Sequence, residues 1–233
     1  MSEGMSVMKM VSVLMILPAV ALITSTAGYC QTATQPSIES FYESLSGDWV
    51  GTVSESTDGK FSDTKYFHAA IKQLSLDTYQ TVFTYYRLDA NSGAPVLVGV
   101  SGMSTKIGTD GAATNSVTGK GDILVDVDSW KPETHELTEI LRTSPMGGLQ
   151  GTGSGSIRVT GMPLGLGKNG KVQSYSSTWS VDNDVLRIGQ RFKVRFRILL
   201  FQKSYTITAD STANRGSDIL GLMKTAQSEL SGG

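Results

Sequence analysis

The spacing of apolar residues along this chain changes from one segment to the next, and each change predicts an element. Between Pro36 and Leu45 the spacing is helical, with Ile38, Phe41, Tyr42 and Leu45 at i, i+3, i+4 and i+7. Ser40 with Glu43 has the spacing of a capping box, and Gly47 can supply the left-handed residue that ends a helix. From Trp49 onward the period is two. Strands are predicted over 49–55, 65–74, 79–88, 96–103, 122–128, 135–143, 155–160, 172–181, 186–200 and 204–209. Each is rich in β-branched or aromatic residues, and turn clusters such as "TDGK", "DANSG" and "VDND" separate them. The clearest alternation is Arg191-Phe192-Lys193-Val194-Arg195-Phe196-Arg197-Ile198, in which one face is buried and the other meets water or a polar lumen. Helical spacing returns over 217–230, where Ile219, Leu222, Met223, Ala226 and Leu230 form a stripe.

About ten strands with no helix between them predict an all-β fold, an antiparallel up-and-down meander. Closing it into a barrel or sandwich removes its edges. A chain of 233 residues can bury one good core and requires no second domain. The predicted division is a signal peptide over 1–27, a disordered linker over 28–35, the β domain over 36–215 and a C-terminal helix and tail over 216–233.

The leader changes the picture of where the protein works. Lys9 precedes the apolar run Met10 to Ile23, and Ser25-Thr26-Ala27 offers the small residues that a signal peptidase reads. The run is shorter than the ~20 apolar residues of a membrane-spanning helix, so it predicts export, periplasmic or extracellular, with no span in the mature chain. Cys30 is the single cysteine, which excludes an intrachain disulfide. Tyr29 at the cleavage position argues against a lipid anchor there. A net charge of −1 supplies no overall field for nucleic acid or an anionic membrane, and no nucleic-acid partner is expected.

A short helix, then Gly47-Asp48-Trp49 opening the first strand, then an up-and-down run of strands resembles the calycin superfamily of lipocalins, fatty-acid-binding proteins and secreted bacterial relatives. Gly51 extends the likeness toward the Gly-x-Trp-x-Gly of nitrobindin-like barrels, and Asp128 to Leu137 is similar to a hairpin of bacterial lipocalin-like domains. The resemblance implies a calycin-like barrel with the helix at its base and Trp49 as a plug beside Gly47. It also implies an arginine from a late strand across the indole, with Arg187, Arg191, Arg195 and Arg197 as candidates. A small apolar or amphipathic ligand would then occupy the interior.

The candidate chemistry is sparse. His68 shares a strand face with Tyr66 and Ala70 near Tyr79, Phe83, Tyr85 and Tyr86, so an imidazole inside the barrel could orient a ligand or bind haem iron, although no haem motif surrounds it. No cofactor is implied. His68, Tyr79, Phe83, Tyr85, Arg191 and Arg195 are the expected ligand-binding residues, the arginines by pairing with an anionic head group. The basic row has a second reading, in which its charges discourage pairing at a sheet edge.

"HELTE" at 135–139 lacks the second histidine of a zinc-protease helix. As a strand it would set His135 and Glu139 ~13 Å apart at ~3.3 Å per residue, too far to share a metal, and it reads as a solvated strand. Gly165 to Gly170 spells Gly-x-Gly-x-x-Gly but precedes a strand, so no dinucleotide site follows. Ser101, between Gly99 and Met103, has no nucleophile elbow. Asp122, Asp126 and Asp128 miss the calcium-loop spacing. No enzyme is expected. The rival to a ligand carrier is a structural or interaction protein of the cell envelope with a filled barrel.

Overall fold

A computed structural model describes residues 36–121, 131–160, 169–198 and 201–231. The predicted signal peptide, Cys30, the three aspartates of 122–128 and the glycines up to Gly167 lie outside the described residues. The chain is all-β, a closed antiparallel barrel of ten strands with a short helix before it and another after it.

Helix α1 (Ile38–Leu45) buries the four predicted residues. Its cap is Ser37 rather than Ser40: the Ser37 hydroxyl accepts from the Ser40 N–H at 3.2 Å, because the helix starts one turn earlier than the Ser40–Glu43 spacing suggests. Ser46 closes the helix, donating its N–H to the Glu43 carbonyl at 3.2 Å. Gly47, at φ 120°, then leads directly into strand pairing.

The strands are β1 (Gly47–Thr57), β2 (Lys60–Ser75), β3 (Thr78–Leu88), β4 (Pro95–Ile107) and β5 (Ala112–Gly121). They continue as β6 (Lys131–Thr143), β7 (Leu149–Thr160), β8 (Asn169–Asp182), β9 (Val185–Ile198) and β10 (Phe201–Arg215). Each pairs with its neighbour along the chain, and β1 closes the ring against β10 with Trp49 opposite Arg215. Two segments differ from expectation. The fifth strand is "AATNSVTGKG", whose inward positions include Asn115 and Gly119, so no apolar alternation marks it. The seventh begins at Leu149, earlier than predicted, because Gly151 and Gly153 carry the wall without side chains that announce a strand.

Inward side chains form two apolar clusters. One gathers α1, Trp49, Val53, Phe67, Tyr79 and Leu141, among others. The second is built by β6 to β10 around Tyr175, Phe192, Phe196 and Tyr205. Helix α2 (Ile219–Ser231) lies against β1 and β2, apart from both clusters, with Met223 as its buried anchor. No helix among the described residues is long and apolar enough to cross a membrane.

Candidate functional site

A cavity of about 60 Å³ lies inside the barrel where the two clusters meet. Phe67, Phe83 and Tyr85, with ring centroids 6.1–6.2 Å apart, wall one side. Tyr175 and Phe192, 4.7 Å apart, wall another. Met103, Leu137, Ile188 and Trp179 add apolar surface, and the polar lining comes from His135, Glu139, Gln190, Ser101 and Ser211. No lysine or arginine lines it among the described residues.

His135 and Glu139 are inward and buried, which corrects the solvated-strand reading of "HELTE". The reason is parity: Leu137 and Leu141 belong inside, and residues two apart on a strand share a face. Space for the imidazole comes from Gly119, its partner across the β5–β6 ladder. A Cβ at Gly119 would stand 1.9 Å from His135 Cε1. Burial lowers the His135 pKa from its ordinary value to about 4, so the ring is neutral at pH 7. Its Nδ1 has no hydrogen-bond partner among the described residues.

Glu139 is held by a buried network. Asn115 Nδ2 donates to Oε2 at 2.9 Å, and the Ser177 hydroxyl donates to Oε1. The Asn115 carbonyl oxygen accepts from Tyr42 OH at 3.0 Å and from Thr105 Oγ1 at 2.7 Å, tying α1 to the cavity. Trp179 Nε1 donates to Ser177 Oγ at 3.2 Å. Gln190 Nε2 donates to Tyr175 OH at 3.0 Å. Burial pushes the Glu139 carboxyl upward, opposed by hydrogen bonds from Ser177, Asn115, Tyr175 and Trp179. The chemistry available is a neutral acceptor at His135, a highly solvated-by-protein carboxyl at Glu139 and aromatic faces between them.

The sequence-predicted residues divide between the two faces of the wall. Phe83 and Tyr85 line the cavity, whereas Tyr79 is wholly buried beneath α1, its ring 5.1 Å from that of Tyr42. His68 points outward, where its Nε2 lies 2.9 Å from Asp48 Oδ1 and its side chain is 26% exposed. The interior haem reading of His68 therefore has no place in the fold. Arg191 and Arg195 are exposed on the outer side of β9, because Phe192, Val194 and Phe196 take the inner side.

Trp49 is fully buried at the α1 end, donating Nε1–H to the Leu45 carbonyl at 2.7 Å. The guanidinium over it belongs to Arg215, not to any of the four expected arginines, at 4.5 Å from the ring centroid. Sequence reading missed Arg215 because β10 runs beyond its last obvious β-branched residues.

No family model matches the chain. No curated protein matches it either. Among solved structures, that of Rv2717c from M. tuberculosis is similar at 10% identity and a TM-score of 0.41, over 76% of this chain and 98% of that one. A likeness at that level leaves the function of this chain untouched.

Proposed function

We propose that the protein is an exported carrier or receptor that holds one compact, uncharged ligand within its barrel. The cavity between the two apolar clusters supports this reading. Its volume of about 60 Å³ exceeds the ~10–15 Å³ that admits a single water, yet falls well below the ~300 Å³ of ordinary drug-sized pockets. A long fatty acid does not fit such a space. Charge points the same way: an anionic head group would meet Glu139 and no cation, at a site where burial already disfavours charge. A small molecule with an apolar body and one hydrogen-bond donor for His135 meets both demands. Kinship with the calycins suits this reading, through α1 beneath the barrel, Trp49 and the stacked Arg215. A binder of this kind performs no turnover.

The small volume also favours the second reading, a structural or interaction protein of the envelope whose barrel is filled by its own side chains. Saturation-transfer NMR separates the two. Phenol and indole receive saturation from the purified chain if the cavity takes a ligand, and replacing Gln190 with Leu or His135 with Phe reduces it. Decanoate receives none. A chain that transfers saturation to no small neutral compound belongs to the second reading, and one that prefers decanoate refutes the argument from charge. Export is tested separately by sequencing the N-terminus of protein recovered outside the cytoplasm, with Gly28 as the expected first residue.

A further inference from the structure

The basic row of β9 has no edge to protect. β9 is hydrogen-bonded to β8 and to β10 along its length in a closed ring, so the reading in which these charges discourage strand pairing fails. Among the described residues, Asp210 is the one carboxylate that lines a furrow beside the row. Arg191, Lys193, Arg195 and Arg197 are all exposed, ~6.7 Å apart along the strand, and none forms an ion pair with a carboxylate among the described residues. Arg195 donates to the amide oxygen of Gln202 at 3.2 Å and lies against the side-chain amide of Gln173, which is 2.8 Å from the Arg195 Nε. In a chain of net charge −1, such a concentration of one sign repels itself and attracts an anion.

The cross-strand neighbours of the row are polar, and Asp210, that one carboxylate, stands opposite Gly189 and lines this wall with Arg191. Ser176 and Thr208 stand on either side of Arg191, and Thr178 faces Gly189. The low floor they make, with Arg142, Arg191, Asp210 and the exposed Ile140 also in its lining, leaves a furrow of about 780 Å³ on the outside of the barrel. From Arg187 to Arg197, the outward positions of β9 and their partners on β8 and β10 include no apolar or aromatic side chain. A bilayer surface offers its apolar region to residues of that kind, and single-stranded nucleic acid stacks on aromatic rings. Ile140 is the one large apolar side chain in the described lining of the furrow and no aromatic ring lines it, whereas hydroxyl groups beside cations suit a hydroxylated polyanion.

We infer that this wall binds a linear anionic polysaccharide, its carboxylates along the Arg191, Lys193, Arg195 and Arg197 row and its hydroxyls against Ser176, Thr178 and Thr208. The inference is independent of the interior cavity.

Affinity electrophoresis of the full chain through gels containing polygalacturonate, at low ionic strength, tests it. The wild-type protein is retarded, and added salt releases it. The variant R191Q/K193Q/R195Q/R197Q binds about tenfold or more weakly, as does T178E/T208E, which leaves the row intact and adds two carboxylates to that of Asp210 in the furrow. A control with four exposed lysines changed elsewhere, K60Q/K72Q/K106Q/K120Q, binds as wild type does. Circular dichroism melts establish that each variant is folded. Three results overturn the inference: no retardation at low salt, equal weakening by the control, or capture by phosphatidylglycerol vesicles or oligothymidylate with none by polygalacturonate.

Discussion

The guanidinium of Arg215 lies 4.5 Å from the centroid of the Trp49 ring, on the ladder that closes the barrel, where the two residues are directly paired. The same side chain donates to the Ser46 carbonyl at 2.9 Å and to the Ser44 carbonyl, and its Nε pairs with Asp184 at 2.7 Å. It therefore joins α1, β1, β10 and the β8–β9 hairpin. Replacing Arg215 with Ala is expected to destabilise the fold by about 2 kcal/mol, from the ring contact and the carbonyls left at the helix end. Lys recovers less than half, because an ammonium cannot reach those carbonyls and cover the ring together. Urea unfolding of both variants checks the order.

Acid sensitivity should trace in part to His135. Its folded pKa is about 4, against an ordinary value of 6.5, so the unfolded chain takes up the proton first as pH falls. Stability from this group is fully present above pH 6.5 and is lost progressively between 6.5 and 4, to a total of about 3 kcal/mol. Glu139, shifted upward by burial, works in the opposite sense, its contribution being greatest below its ordinary pKa and lost as pH rises through its folded one. Comparing wild type with H135Q isolates the histidine. The stability difference between the two proteins should change by about that amount from pH 7 to pH 4, and a constant difference would contradict the assignment.

Gly119 and His135 should be coupled strongly. A methyl at Gly119 occupies the space of the imidazole, so G119A is expected to cost about 1–3 kcal/mol through overpacking. In the background of H135A the same change should cost about 1 kcal/mol less, or become favourable. A double-mutant cycle measures the difference, and strict additivity would mean that the ring does not lie on the glycine.

Inside the barrel, Lys65 Nζ and Glu55 Oε2 are 2.5 Å apart with both side chains essentially inaccessible to water. Changing Lys65 to Met removes the ammonium that faces a buried carboxylate and is expected to cost about 3–5 kcal/mol. Changing both, K65M with E55L, should return most of that loss. Equilibrium unfolding of the two single variants and the double variant decides it.

How far the sequence disclosed all this can be judged residue by residue. Period-two runs with β-branched and aromatic residues located most of the barrel, and the helical spacing of Ile38, Phe41, Tyr42 and Leu45 located α1 with its buried face. β5 escaped because its inward side uses Asn115 and Gly119, residues chosen for a hydrogen bond and for clearance rather than for apolar surface. The interior site was misread for a related reason. His135 and Glu139 look like solvent-facing residues by type, and only their register with Leu137 and Leu141 reveals the face they occupy. His68 and the arginines of β9 erred in the opposite direction, since alternation identifies two faces without saying which is inner. Arg215 depended on the pairing of two residues far apart in sequence, which no local pattern encodes.

Every ladder except β1–β10 joins strands that are consecutive along the chain. The sheet can thus zip hairpin by hairpin as an open ribbon, at little cost in loop entropy per step, until only the seam is unmade. That last ladder must bring together segments separated by nearly the whole domain, and it is there that the indole and guanidinium meet. Seam contacts form late by this order of assembly, so weakening them should hasten unfolding while leaving the refolding rate nearly unchanged.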